Sequence, residues 1–218
     1  MLYYKCMQNR QNFSEKRQRM VEEQLEARDI SDENVLSAMA KVPRHKFVPQ
    51  SKQKNAYADH PLSIGHNQTI SQPYIVALMC QLLELTGKEK VLDIGTGSGY
   101  QAAVLSHLAK EVVSIEVIAE LAKSAQKKLN KLDYNNVKVI TGNGRKGVPE
   151  YAPFDGIIAA AASKTVPQAW KNQLKIGGKI VLPLKNQLGQ NLTRVAKTKS
   201  GLEKESFGGV MFVPLVEK

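Results

Sequence analysis

The stretch Val91-Leu92-Asp93-Ile94-Gly95-Thr96-Gly97-Ser98-Gly99 constrains this chain more than any other. Its apolar opening suits a strand covered on both faces, because Val and Ile pack well on a pleated, buried surface. The glycines that follow, one at every second position, read as the turn leaving that strand. Lacking a Cβ, they let the backbone approach a ligand closely and reach positive φ. Tyr100 to Lys110 then reads as a helix with Ala102, Ala103, Leu105 and Leu108 facing inward. Strand, glycine turn and helix in this order cradle a nucleoside-bearing cofactor at the carboxyl edge of an α/β sheet.

The dinucleotide fingerprint G-x-G-x-x-G is not met, because Tyr100 stands where its third glycine belongs. The spacing instead resembles the first motif of the S-adenosylmethionine-dependent methyltransferases. That resemblance implies a cofactor site at Gly95, Thr96, Gly97, Ser98 and Gly99, with Asp93 near the ammonium of the cofactor's methionine end. A second acid, Glu116 beside Val117, closes the apolar run Val112-Val113-Ser114-Ile115. A carboxylate at the end of the second strand can accept both ribose hydroxyls. Taken singly, the glycines could be a structural turn and Glu116 a solvated strand end. Together they point to a cofactor site.

From residue 90 onward the rhythm is strand, helix, strand. Strands are expected at about 90–94, 111–116, 137–141, 154–160 and 178–183, and helices at about 99–110, 118–131 and 165–175. Two further runs, 191–198 and 207–215, read as a closing antiparallel pair joined through Lys199-Ser200-Gly201. Gly177-Gly178 reads as a turn before the fifth strand. Ahead of the sheet, 14–28 suggests a helix capped by Ser14, 32–41 a second capped by Ser31 or Asp32, and Pro73 to about Leu85 a third. The expected fold is a doubly wound, mostly parallel, seven-stranded Rossmann-like α/β sheet with an N-terminal helical cap and an antiparallel C-terminal strand. A single domain is expected over 1–218, with cap and active-site loop over about 14–87 and sheet over about 88–218. Between the cap helices and the sheet, Asp59 to Gln72 is too long for a routine connection and too polar for core, which marks it as a functional loop.

Bulk properties exclude several classes. The 218 residues suffice for one domain with a sizeable core, and no run approaches the length of a membrane span. Met1 to Arg10 lacks the apolar core of a signal peptide. Cys6 and Cys80 make neither a disulfide framework nor a metal spacing, which fits a reduced, cytoplasmic setting. Net charge is +11, from 31 basic and 20 acidic residues, but the lysines are scattered at helical spacing. They form no basic tail interleaved with aromatics, so no stable nucleic-acid partner is expected. A monomer is expected.

The loop and the C-terminal half carry a more specific likeness. Pro61-Leu62-Ser63-Ile64-Gly65-His66-Asn67-Gln68-Thr69-Ile70-Ser71-Gln72-Pro73-Tyr74 resembles the signature loop of the protein-L-isoaspartate O-methyltransferases, as does its distance ahead of the glycine motif. Gly142-Asn143-Gly144, Ala152-Pro153-Phe154-Asp155-Gly156, Val166-Pro167-Gln168-Ala169 and Phe212-Val213-Pro214-Leu215 continue it, so the likeness covers nearly the whole chain from about residue 14. It implies methyl transfer from S-adenosyl-L-methionine to the free α-carboxylate of L-isoaspartyl residues in damaged peptides and proteins, with S-adenosyl-L-homocysteine as product and no metal. It implies Ser71 as the active residue. Gln68, Thr69, Ile70, Asn143 and Gly144 would join the cofactor site, and Ile64, His66 and Val213 the substrate site.

The chemistry is consistent with the residues present. A carboxylate is already ionised at neutral pH and needs no general base, so the protein must align reactants and exclude water. Three positions depart from the family pattern. Asn143 stands where an acid accepts from the adenine amino group, Asn67 where glycine is usual, and Ala160 where threonine is frequent. Asn keeps a carbonyl acceptor, and it tolerates positive φ better than most residues. The alternative is a methyltransferase acting on RNA or a small molecule. Against it, the place of an Asn-Pro-Pro-Tyr-like motif reads Ala159-Ala160-Ala161-Ala162-Ser163. A non-catalytic cofactor binder is the reading from another class.

Overall fold

A computed structural model describes residues 12–216. Helix α1 (residues 12–19) runs directly into a π-helical segment, Met20–Glu26. Met20 and Leu25, five residues apart, are both fully buried. The wider i→i+5 winding is what puts that pair on one face. Ser14 therefore lies inside a helix and does not cap it. Phe13, stacked on the His45 ring with centroids 4.2 Å apart, rewards helix ahead of Ser14. The leader reading of Met1 to Arg10, and Cys6, lie outside the described residues.

Helix α2 (Glu33–Lys41) begins as expected, with Asp32 accepting from the Asn34 and Val35 amides. The long polar loop is in part a hairpin, β1 (Leu62–Gly65) paired antiparallel with β2 (Gln68–Ile70). His66 and Asn67 form its two-residue turn at φ 53° and 56°, the signs of a type I′ connection. Asn at the second position suits a left-handed site where glycine would be easier. Helix α3 (Pro73–Gln81) follows, four residues shorter at its end than the apolar pattern suggested.

The main sheet has seven strands: β3 (Lys90–Ile94), β4 (Glu111–Glu116), β5 (Val137–Thr141), β6 (Phe154–Ala159), β7 (Leu174–Asn186), β8 (Gly189–Lys197) and β9 (Leu202–Gly209). Their spatial order is β5-β4-β3-β6-β7-β8-β9. The first five are parallel, and β8 and β9 add an antiparallel meander. Connecting helices are α4 (Tyr100–Leu105), α5 (Ala119–Lys131) and α6 (Gln168–Gln173). Side chains alternate across the sheet. Val91 and Val112 join a core shared with the N-terminal helices, α3 and α4, whereas Leu92, Ile94, Val113 and Ile115 join Trp170 and Leu174 on the opposite face. Both faces are thus covered, as apolar parallel strands require.

Three boundaries differ from the sequence pattern for local reasons. Helix α4 stops at Leu105 instead of reaching 110. The Ser106 hydroxyl donates to the Ala103 carbonyl, and Asn136 Nδ2 donates to the Ser106 and Ala109 carbonyls, drawing those acceptors away from a continued helix. Gly177-Gly178 lies within β7, in a bulge opposite Asp155, instead of preceding the strand. A Cβ on Gly178 would come 2.6 Å from the Asp155 carbonyl oxygen. The last strand is β9 at 202–209, and 210–215 leaves the sheet after Gly208, at φ 98°.

Candidate active site

Strand order reverses at β3, which has β4 on one side and β6 on the other. Crevices at such switch points, beyond the carboxyl ends of the strands, are where α/β sheets bind ligands. A cleft of about 680 Å³ opens there.

Its floor is the glycine turn. The Gly95 amide donates to the Ile115 carbonyl at 2.8 Å, and the Gly97 amide donates to Glu116 Oε2 at 2.8 Å. The other Glu116 oxygen accepts from the Ile118 amide at 3.0 Å. Two backbone donors thus fix a nearly buried carboxylate at the end of β4, and each oxygen keeps acceptor capacity towards the cleft. Gly99 caps α4 at φ 88°, a conformation that disfavours any side chain, and a Cβ there would crowd Ala125 at 3.3 Å.

Asp93 lies beneath this turn rather than in the cleft. It is fully buried, and accepts from Ser114 Oγ at 2.6 Å and Gln101 Nε2 at 2.8 Å. Thr96 Oγ1 and Ser114 Oγ are 2.5 Å apart, so a chain of hydrogen bonds runs from Asp93 to the middle of the turn. Burial pushes the Asp93 carboxyl up to about 6; the bonds from Ser114 and Gln101 oppose the rise, and the nearby charge of Glu116 adds to it. Asp93 thus does not border the cleft, and protein donors meet its carboxylate.

The loop at the end of β5 forms another wall. The Gly144 carbonyl accepts from Trp170 Nε1 at 2.7 Å, and Gln173 accepts from the Val148 amide while donating to the Lys146 carbonyl. Helix α6 thereby sets the position of this loop. Gly144 lines the cleft, and a Cβ on it would lie 2.7 Å from Ile94 Cγ2. Asn143 is turned to local work, its Oδ1 accepting from the Arg145 amide at 2.9 Å.

The hairpin and its exit strap cover the cleft. Pro61, Gln68, Thr69, Ser71 and Gln72 line it. Asp59 holds the exit, accepting from Gln72 Nε2 at 2.6 Å and pairing with Arg28 at 3.0 Å, while the Arg28 guanidinium lies over the Tyr74 ring. The N-cap of α3 is Gln72, so Ser71 does not cap that helix. Among the described residues the Ser71 hydroxyl has no hydrogen-bond partner, and it borders the cleft.

Of the residues expected from sequence, Gln68, Thr69, Ser71, Gly95, Gly97, Glu116, Val117, Gly144 and Val213 come together around this space. The others do not line it. Ile70 is buried in the core; Ile64 packs over the glycine turn, with Cδ1 3.4 Å from where a Gly97 Cβ would stand; His66 is exposed at the hairpin tip. Thr96 and Ser98 are buried, and Gly99 serves the helix start. Sequence reasoning missed the β7–β8 turn, Leu188 to Gln190, and most of the segment 210–216. Leu188 is an isolated apolar residue in a polar turn and carries no periodic signal, and the apolar run 210–215 reads from sequence as part of a closing strand. Among the described residues no three His, Cys, Asp or Glu side chains converge as metal ligands, and no helix is long and apolar enough to cross a membrane.

A profile of the family Protein-L-isoaspartate(D-aspartate) O-methyltransferase (PCMT) matches residues 15–218. The chain belongs to this family. Protein-L-isoaspartate O-methyltransferase 1 of Syntrophobacter fumaroxidans (strain DSM 10017 / MPOB) is 52% identical over 207 residues, covering 95% of this chain and 97% of that protein. The second such enzyme of Marinobacter nauticus (strain ATCC 700491 / DSM 11845 / VT8) is 52% identical over 208 residues, covering 94% and 95%. Among solved structures, a protein-L-isoaspartate O-methyltransferase superimposes with a TM-score of 0.82 at 28% identity, over 94% of this chain and 66% of that longer one. A Plasmodium falciparum protein assigned to the same activity, solved in complex with S-adenosyl-L-homocysteine, gives a TM-score of 0.80 at 25% identity over 93% of this chain and 99% of its own. The doubly wound sheet and the N-terminal helices are those of the family.

Proposed function

We propose that this chain transfers a methyl group from S-adenosyl-L-methionine to the free α-carboxylate of L-isoaspartyl residues in damaged peptides and proteins, which starts their repair. One observation carries the reading beyond family membership: the Ser71 hydroxyl and the Glu116 carboxylate border the same cleft. The residues present suit the cofactor. About 680 Å³ is within the range of small-molecule sites, Glu116 offers acceptors, and the Cβ-free Gly95 and Gly97 leave their backbone open to a ligand. When bound, S-adenosyl-L-methionine supplies a methyl group on an electrophilic sulfonium.

The chain's own residues position and shield. Glu116 accepts from the ribose hydroxyls, and Gly95, Gly97, Val117 and Gly144 shape the space around the nucleoside. Gln68 and Thr69 close it from the hairpin side. Ser71 donates its hydroxyl hydrogen to the substrate carboxylate and fixes its direction. That carboxylate is anionic at neutral pH, so no proton has to be removed before it reacts. Holding it in line and dry is the catalytic task. Val213, whose carbonyl accepts from the Ala162 amide at 2.8 Å, forms part of the substrate wall. Asp93, Thr96, Ser98, Gly99, Ile64 and Ile70 act from behind, by holding the turn and the hairpin. In this reading the enzyme works as a cytoplasmic monomer without a nucleic-acid or membrane partner. The scattering of the lysines supports the part of it that concerns nucleic acid.

The test compares labelled-methyl transfer to an isoaspartyl peptide, its aspartyl twin and tRNA. Transfer to the first alone is expected, and transfer to tRNA alone would overturn the reading. Ser71→Ala should lower kcat by roughly tenfold or more, the effect of one hydrogen bond to a charged group, with an unchanged melting temperature. Near-normal turnover would remove Ser71 from the chemistry.

A further inference from the structure

Large apolar side chains are exposed at five described positions, and three of the five meet at the mouth of the cleft. Leu188 is 98% exposed, Met211 94% and Val216 43%. Single exposed hydrophobics need no explanation, but a cluster rimming a cleft marks a contact surface. The backbone beneath the first two is braced. In the β7–β8 turn the Leu188 amide donates to Asn186 Oδ1 at 2.8 Å. Met211 is held from both sides by Gln190. The Val210 amide donates to the Gln190 carbonyl at 2.9 Å, the Phe212 amide donates to Gln190 Oε1 at 2.8 Å, and Gln190 Nε2 donates to the Phe212 carbonyl at 3.0 Å. Gln190 follows Leu188 by two residues, so one side-chain amide ties the two exposed groups into a single rim.

We propose that Leu188 and Met211, with Val216 beside them, form an apolar grip for the side chain next to the isoaspartyl residue, so that the enzyme selects extended segments whose flanking residue is apolar. The inference rests on the function proposed above. Continuity with the cleft that Ser71 borders makes a peptide the occupant. A second copy of the chain on this face would close the cleft to substrate. Large apolar side chains are more often buried than exposed in an intact protein. A rim that favours one therefore favours segments that damage or unfolding has released over the same lesion in a polar surface turn.

The experiment uses isoaspartyl peptides identical except for Leu or Ser on either side of the isoaspartate. Wild-type enzyme is expected to favour Leu on at least one side by roughly fivefold to tenfold in kcat/KM, the value for half-burying one leucine-sized side chain. The preference should reside in KM. Fluorescence anisotropy of the labelled peptides, read with S-adenosyl-L-homocysteine present, should give the same ratio in Kd. In the double variant Leu188→Ser, Met211→Ser the ratio should fall towards one at a wild-type melting temperature, since neither side chain packs in the core. Equal rates for both peptides in the wild type, or a preference that survives the double variant, overturn the grip while the methylation reading stands. If no isoaspartyl peptide is methylated, the underlying function falls and the grip with it.

Discussion

The two sides of the cleft are built by opposite rules. On the side of β3 and β4, Asp93, Ser114 and Glu116 are buried, and each meets partners on neighbouring backbone or side chains. On the other side, Ser71 has no hydrogen-bond partner among the described residues, and Leu188 and Met211 stand in water. Under the proposed function the contrast follows from what each side would meet. A methyl donor has one shape, so groups facing it can be satisfied and fixed in advance, which lowers the ordering cost of binding. Damaged segments differ from one to the next, so the side that meets them keeps its donors and apolar surface open.

This contrast can be broken most sharply at Glu116. Glu116→Ala leaves the part-buried Gly97 and Ile118 amides without their acceptor, at about 1 kcal/mol for each. Stability and S-adenosyl-L-methionine affinity should fall together, the latter by at least tenfold in calorimetric titration. Peptide binding to the remaining folded protein should change little, and an equal loss there would erase the distinction between the two sides. Gly144→Ala comes next. Its Cβ would meet Ile94 Cγ2 at 2.7 Å, an overpacking worth about 1–3 kcal/mol. Chemical denaturation reads the loss, with weaker cofactor binding as the loop shifts off Trp170.

Asp93 gives a prediction in pH. Its ordinary value of 3.8 is raised to about 6 in the fold, so the folded chain holds a proton that the unfolded chain has released. That stabilisation is complete below about pH 4 and gone once pH passes 6. Relative to Asp93→Asn, the wild type should lose roughly 1–3 kcal/mol across this window, as denaturation midpoints at pH 4 and pH 7 would show. A flat difference would mean the carboxyl is ionised throughout. The smallest effect belongs to the hairpin. Asn67→Ala, at φ 56°, should cost about 1 kcal/mol in stability, because alanine tolerates left-handed backbone less well.

The same contrast decided what could be read from the chain alone. Strands β3, β4 and β5 have the expected limits, since Val- and Ile-rich runs flanked by polar residues can be little else in a covered sheet. Glu116 is legible only together with the glycine turn ahead of it, since an acid ending such a run can by itself be a solvated strand end. The hairpin β1–β2 reads as a loop in the sequence, because its strands are four and three residues long, too short for alternation to stand out. Ile64, Ile70 and His66 were placed by likeness along the chain. Which way a side chain points depends on register, and the turn at His66-Asn67 sets that register. The partners of Asp93, Ser114 and Gln101, are not legible in the sequence, because they become its neighbours only once β3 pairs with β4 and α4 folds back. Leu188 and Met211 belong to different elements, and nothing local announces their meeting.

The Gln190 amide has a consequence for motion. Past Gly209 the polypeptide is fastened by one side chain, one amide from Val210 and the pair that Ala162 makes with Val213 and Leu215. Val210, Phe212 and Leu215 also pack against the core, but the segment has fewer backbone hydrogen bonds than β8, which is paired on both sides. The amide protons of 210–213 and Leu215 should therefore exchange with deuterium sooner than those of β8, so that the rim of the cleft loosens before the sheet that carries it.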